Sequence, residues 1–275
     1  MNPYRGCEFG CHYCYARYTH EYMELDGSEF ERKIYVKQNV AALAARDLDS
    51  EKIWGEHIAI GTATDPYQPA EVEFGATRAV LEKMAEREGL SVSITTKSNQ
   101  VVRDVDVLQR LAARSSLTIN ITVTTLRTRL ARLLEPRAPR PDLRLAAVRK
   151  LREAGLAAGV FLSPIIPGLT DGERDLEALA AAARDAGAQW LAGGVLFLMP
   201  SALREFQPFI EEKFPKLAQR YRDWYRRTGN APDSYKKEIS ARVAALRTKY
   251  NLGNRPESPN SREWRSPQLA LNGFC

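Results

Sequence analysis

Histidine and cysteine are scarce in this 275-residue sequence, with three of the former and four of the latter. So few thiols exclude the disulfide framework of a small secreted fold, which spreads its cysteines to close many loops. Long apolar runs are missing too. The longest, such as Trp190–Pro200, stop well short of the ~18–20 residues a membrane helix needs. No basic-then-apolar leader opens the chain, so a cytoplasmic protein is expected. There is no low-complexity linker and no long-period repeat. With 44% hydrophobic and 27% charged residues, the composition is that of an ordinary globular protein, not of a disordered chain.

What is present is unevenly distributed. Residues 1–212 carry 26 Lys and Arg against 29 Asp and Glu, whereas residues 213–275 carry 14 against 5. The net charge of +6 therefore resides in the C-terminal part. Such a region attracts phosphate backbones or other acidic partners; it also suits a solvated helix surface.

Strands alternate with helices along the chain. His57–Gly61, Ser91–Thr96, Leu117–Thr124, Ala157–Ser163 and Trp190–Leu198 read as strands, rich in β-branched and apolar residues. Phe74–Glu88 has helical spacing, and Asp104 is a candidate side-chain cap for a helix whose stripe is Val105, Leu108 and Leu111. Pro141–Ala154 reads as a helix with proline in its first turn and Gly155 past its end, and Asp171–Ala186 as an Ala-rich helix stopped by Gly187. A short strand at Asn2–Tyr4 makes six. This is an α/β pattern with a parallel sheet, expected to form a partial (β/α)6 TIM-type barrel; a doubly wound open sheet is the alternative. Both bind ligands at the carboxyl ends of their strands. Residues 1–200 are expected to form the barrel core and 201–275 a basic helical extension and tail. There Tyr221, Trp224 and Tyr225 share a face, for packing against the barrel or for stacking bases.

Three of the four cysteines fall in Cys7-Glu-Phe-Gly-Cys11-His-Tyr-Cys14, a CxxxCxxC spacing. Soft thiolates select zinc, copper(I) or iron–sulfur clusters. A closed zinc site needs four ligands, and His12, adjacent to Cys11, is poorly spaced to serve with it. Three cysteines on one tight loop suit three irons of a [4Fe–4S] cube, leaving the fourth open. Gly6 and Gly10 let the backbone wrap a bulky cluster. A zinc knuckle or inert thiols are the alternatives.

The segment Asn2–Arg17 (NPYRGCEFGCHYCYAR) resembles the radical S-adenosylmethionine (SAM) enzymes, whose signature is CxxxCxΦC with an aromatic, here Tyr13, before the last cysteine. The similarity is closest to the spore photoproduct lyase branch, over roughly residues 2–200. It implies a [4Fe–4S] cluster held by Cys7, Cys11 and Cys14. It implies SAM chelated to the open iron and cleaved to a 5′-deoxyadenosyl radical, with electrons from a donor such as flavodoxin or ferredoxin. It further implies action on nucleic acid in a lyase-like repair reaction; a peptide, protein or small-molecule substrate is the alternative, and a non-enzymatic metal-binding module a second one.

Candidate SAM contacts lie at strand ends. Thr62, Thr64 and Asp65 in Gly61–Glu71 can accept from an ammonium, although Asp-Pro is also turn chemistry. Lys97, in Thr96-Lys97-Ser98, matches the family's lysine for the SAM carboxylate. Thr122 stands where the family has a serine, and shares a face with Asn120 and Thr124. The run Leu134-Glu-Pro-Arg-Ala-Pro139, then Arg144, resembles the family's next stretch. Phe161-Leu-Ser-Pro164-Ile165 resembles the strand whose end packs on adenine, and Tyr13 and Tyr15 are placed to hold that ring. Two departures stand out. The lyase uses a barrel cysteine as hydrogen donor, and this chain has none between Cys14 and Cys275, so Cys275 or a tyrosine is expected in that role, or a different reaction. The chain also opens almost on its cysteine motif, which implies residues upstream.

Overall fold

A computed structural model describes residues 1–50, 53 and 55–256. Cys275, expected as one candidate hydrogen donor, lies outside these residues. The strands are β1 (Tyr4–Arg5), β2 (Tyr35–Val36), β3 (His57–Ile60), β4 (Ser91–Thr96), β5 (Ser116–Thr122), β6 (Ala158–Ile165) and β7 (Leu191–Val195). The α-helices are α1 (Tyr18–Glu21), α2 (Val40–Leu48), α3 (Ala70–Phe74), α4 (Ala76–Ala85), α5 (Val105–Ala112), α6 (Thr128–Leu134), α7 (Pro141–Glu153), α8 (Glu173–Asp185), α9 (Pro200–Lys213), α10 (Ala218–Thr228) and α11 (Asp233–Tyr250).

Strands β3 to β7 form one parallel sheet in sequential order. Each joins the next through helices, as parallel pairing requires. The register places Ile94 beside Ile119, Asn120 beside Gly159, and Phe161 beside Ala192. Period-two alternation separates two faces. Val92, Ile94, Ile119, Ile121, Val160 and Leu162 are buried against the helices. The other face carries Ser93, Thr95, Asn120, Gly159 and Phe161 and forms the lumen. There Asn120 donates to the Ile94 carbonyl (3.2 Å) and accepts from the Trp190 indole (3.1 Å). Trp190 has room because Gly159 lacks a Cβ, which would stand 2.4 Å from the indole. The polar face of β5 thus looks into the barrel and finds partners there.

The α/β partial barrel is as expected, with four differences. The sixth strand does not join the sheet: β1 pairs antiparallel with β2 instead, while Asn2 accepts from the Thr62 and Ala63 amides beyond β3 (3.0 and 3.1 Å). The helix read as Phe74–Glu88 is divided at Gly75, whose φ of +59° ends α3 and starts α4. Asp104 precedes α5 without capping it through its side chain; its carboxylate instead accepts from Arg78 and Arg103 (3.0 and 3.1 Å). The strand expected to end at Ser163 runs on through Pro164 to Ile165.

Helices α9 to α11 follow the barrel. Tyr221 and Tyr225 are buried and stack on each other at 5.4 Å, so these two rings pack in the core rather than offering a base-stacking face. Among the described residues no helix is long and apolar enough to cross a membrane.

Candidate functional site

The cysteine loop lies across the carboxyl ends of the central strands, because bonds from three directions hold it there. Beyond β3, the Thr64 hydroxyl donates to the Gly6 carbonyl (2.6 Å). Gln68 grips both sides of Cys7: its amide donates to the Gly6 carbonyl (3.2 Å) and its oxygen accepts from the Glu8 N–H (2.9 Å). The Glu8 carboxylate accepts from the Ala70 N–H (2.6 Å). At the end of α6 the Leu134 carbonyl accepts from the His12 N–H (3.1 Å), and from the segment after it the Arg137 N–H donates to the Phe9 carbonyl (3.2 Å). From within the loop's own continuation, the buried Arg17 donates to the Cys11 carbonyl (3.3 Å), the Gly27 carbonyl (3.1 Å) and Glu31 (2.7 Å). Gly6 is required by geometry. Its φ is +81°, and a Cβ there would stand 2.6 Å from the Lys33 carbonyl oxygen.

The thiols are removed from water. Cys7 and Cys11 are buried and Cys14 half-buried, within an apolar cluster that includes Phe9, Tyr13, Leu134 and Phe206. Burial pushes all three thiols up, Cys11 to about 12. Such thiols become thiolates only beside strong positive charge. Among the described residues no three His, Cys, Asp or Glu side chains converge on one point. Three soft donors spread on a loop fit a larger cluster. His12 turns away: it stacks on Phe209 at 4.3 Å, with Nδ1 3.1 Å from Glu205.

Beneath the loop lies a buried polar network. The Tyr13 hydroxyl donates to Glu135 and lies 3.2 Å from Thr124 Oγ1, which itself donates to Glu135 (2.6 Å). Arg144 donates to the other Glu135 oxygen, to the Pro139 carbonyl (2.7 Å) and to the Thr122 carbonyl (3.2 Å). Burial would push the Glu135 carboxyl up, but Arg144, Lys97 and the hydroxyl donors hold it down at about 2. Lys97, half-buried at the end of β4, stands 5.6 Å from the centre of the Tyr13 ring. Burial pulls its ammonium down, but Cys11, Glu135 and Asp65 outweigh this and hold it above its usual value.

The expected SAM contacts divide accordingly. Tyr13, Lys97 and Thr124 come together under the cysteine loop. Tyr15 extends from the loop, its hydroxyl donating to the Thr62 carbonyl. Thr64 supports the loop backbone. Asp65 accepts from the Thr96 hydroxyl (2.6 Å) and the Lys97 and Tyr67 N–H groups (2.7 and 3.0 Å); it ties the β3 and β4 loops together, and burial still raises its carboxyl. Ser98 caps the turn that follows, accepting from the Gln100 N–H (3.2 Å). Thr122 is buried at the end of β5. Pro164 and Ile165 close β6; Ile165 lies in the barrel's main apolar core, whereas the next residue, Ile166, belongs to the cysteine-loop cluster. Gln68 and Arg17 were not anticipated as site residues, and Glu135 and Arg144 only as part of a resembling stretch.

Fold and site define a partial βα barrel with a three-thiol loop at the carboxyl ends of its strands. Residues 1–180 match the Radical SAM superfamily, and the chain belongs to it. The cofactors of that superfamily are a [4Fe–4S] cluster and SAM, and its enzymes draw on an electron donor. The chain is 34% identical over 264 residues to an uncharacterized protein of Mycobacterium tuberculosis, covering 95% of this chain and 77% of that one. It is 30% identical over 216 residues to an uncharacterized protein of Methanocaldococcus jannaschii, covering 78% and 76%. Among solved structures, a mutant of spore photoproduct lyase superposes with a TM-score of 0.67 at 20% identity, covering 91% of this chain and 73% of that one. A mutant of the same lyase with bound AdoMet and dinucleoside spore photoproduct gives 0.65 at 18%, again covering 91% and 73%. At these identities the likeness is one of fold.

Proposed function

We propose that Cys7, Cys11 and Cys14 each ligate one iron of a [4Fe–4S] cluster and that SAM binds between this cluster and the ends of β4 to β6. The arrangement under the loop carries this reading: a half-buried ammonium, Lys97, next to the ring of Tyr13, itself fixed by Glu135 and Thr124. When bound, the cluster supplies the electron that splits SAM into methionine and a 5′-deoxyadenosyl radical, which takes hydrogen from the substrate. The chain's own residues bind, orient and shield. Lys97 pairs with the SAM carboxylate, a charge match that a buried cation needs. Tyr13 and Tyr15 border the adenine, with Thr122, Pro164 and Ile165 lining the approach. Phe9, Leu134 and Phe206 exclude water from the thiols.

The proposed substrate is nucleic acid, in a lyase-like reaction, with residues 1–200 as the catalytic barrel and 201–275 as the basic extension that faces it. The 14 basic against 5 acidic side chains of residues 213–275 support this, as does the fold shared with a lyase solved with a dinucleoside. The proposed setting is the reducing cytoplasm, with flavodoxin or ferredoxin as donor. Hydrogen return to a product radical does not use a cysteine of the barrel, because none lies between Cys14 and Cys275. The test is DNA affinity over a salt series. A phosphate-backbone partner requires binding that weakens steeply as salt rises; binding absent at low salt, or indifferent to salt, contradicts it.

A further inference from the structure

The C-terminal segment returns to the barrel. After α11 the chain runs beside the start of β7, where the Gly253 N–H donates to the Gln189 carbonyl (2.8 Å) and the Gly253 carbonyl accepts from the Leu191 N–H (3.2 Å). Two residues on, Arg255 reaches the Phe161 ring, its guanidinium carbon 6.0 Å from the ring centre. Phe161 belongs to the lumen face of β6. Arg255 also depresses the pKa of His57 at the start of β3, an effect second to burial. One side chain therefore acts on the edge strand β3 and on β6, three strands away in the sheet.

Among the described residues the buried arginines have carboxylate partners. Arg17 has Glu31 and Arg144 has Glu135. Arg255 is half-buried, its own pKa is lowered by burial, and it has no carboxylate or carbonyl partner among the described residues. A half-buried guanidinium is stabilised by an anion that pairs with it. The cation–π contact with Phe161 contributes part of that stabilisation and of itself uses none of the N–H donors, which suit a bidentate acceptor. Nearby, both nitrogens of His57 are within 2.9 Å of serine hydroxyls, Ser91 and Ser93, and not of a carboxylate. There is also room. Gly194, on the same face of β7 as Ala192, has open space where a side chain would stand.

We infer that Arg255 binds a phosphate group of the substrate inside the barrel, with the Phe161 ring as the adjoining stacking face for a base. The inference rests on the nucleic-acid reading above and adds to it the residue that recognises the anion. Phosphate is favoured over carboxylate by the basic segment from which Arg255 comes and by the aromatic beside it, the pairing that suits a nucleotide.

The test measures binding to the cluster-reconstituted full chain by calorimetry. The probes are thymidine 5′-monophosphate, thymidine, inorganic phosphate and N-acetyltyrosine, the last as a carboxylate on an aromatic. Thymidine monophosphate is expected to bind at least tenfold more tightly than thymidine. Arg255→Gln should abolish that preference and Arg255→Lys restore part of it, with melting curves verifying that both variants fold. Equal affinity for thymidine and its monophosphate overturns the inference, as does a preference that survives Arg255→Gln. N-acetyltyrosine binding as tightly as the nucleotide overturns the phosphate assignment. Should Arg255→Gln not fold, phenylglyoxal labelling of the wild-type chain decides: inorganic phosphate must protect Arg255, and unprotected labelling refutes the inference. The nucleic-acid reading fails separately, when the wild-type chain shows no salt-dependent DNA affinity; such affinity together with equal binding of thymidine and its monophosphate overturns the Arg255 inference alone.

Discussion

Glu135 and Arg144 form an ion pair in which both side chains are 1% exposed, directly beneath the tyrosine of the cysteine motif. The pair is satisfied on all sides, by Tyr13 and Thr124 on the carboxylate and by two backbone carbonyls on the guanidinium. Removing one partner leaves a buried charge without its counter-ion. Glu135→Ala is expected to destabilise the chain by about 3–5 kcal/mol, read from urea unfolding. The pH dependence has a definite sign. The folded value of Glu135, about 2, lies below the unfolded one, so its contribution is fully present above roughly pH 4.3 and is lost as pH falls toward 2. Glu135→Gln should flatten stability over that window; an unchanged acid limb contradicts the assignment.

Lys97 is expected to act on SAM and not on the cluster. Lys97→Ala removes a charged hydrogen bond of about 1.5–3 kcal/mol, so SAM affinity should fall roughly tenfold to a hundredfold while the cluster's visible absorbance persists. Loss of the absorbance together with SAM binding would instead make Lys97 a support of the loop.

Gly6 and Gln68 hold the cysteine loop in place. Gly6→Ala imposes a side chain at φ +81° and a contact at 2.6 Å from a carbonyl oxygen, strain of the order of 1–3 kcal/mol. Gln68→Leu frees the Gly6 carbonyl and the Glu8 amide that flank Cys7. Both variants are expected to carry less iron per chain after reconstitution. Full iron content in both contradicts the loop's dependence on these bonds.

His57 reports on the lumen. Burial first, and Arg255 second, hold its pKa below the usual value. With only three histidines in the chain, its ring protons can be followed by NMR. Arg255→Gln should move the His57 titration to higher pH, because removing a nearby cation favours the imidazolium. No movement would mean that Arg255 does not approach His57 in solution.

The parts of this architecture legible in the sequence are those encoded locally. The spacing of Cys7, Cys11 and Cys14 and the β-branched run of β5 carry their meaning within a few residues. So does the alternation that puts Asn120 and Thr124 on the lumen face. Partners far apart in sequence were not legible: Gln68 with Gly6 are 62 residues apart and Trp190 with Asn120 are 70 apart. No period or propensity announces such pairs, which arise when strand order brings loops together. Asp65 shows the limit from the other side. Its residue type suited an ammonium, yet its oxygens accept from Thr96, Lys97 and Tyr67. Tyr4, read as part of a barrel strand, pairs with Val36 because the segment between them folds back across it.

The most direct measurement compares 5′-deoxyadenosine formation from SAM by the wild-type chain and Cys11→Ala, both reconstituted anaerobically and reduced with dithionite. Wild type should show the cubane absorbance and release 5′-deoxyadenosine, and Cys11→Ala should show neither. Product formation by Cys11→Ala, or none by wild type with an intact cluster, would contradict the account at its centre.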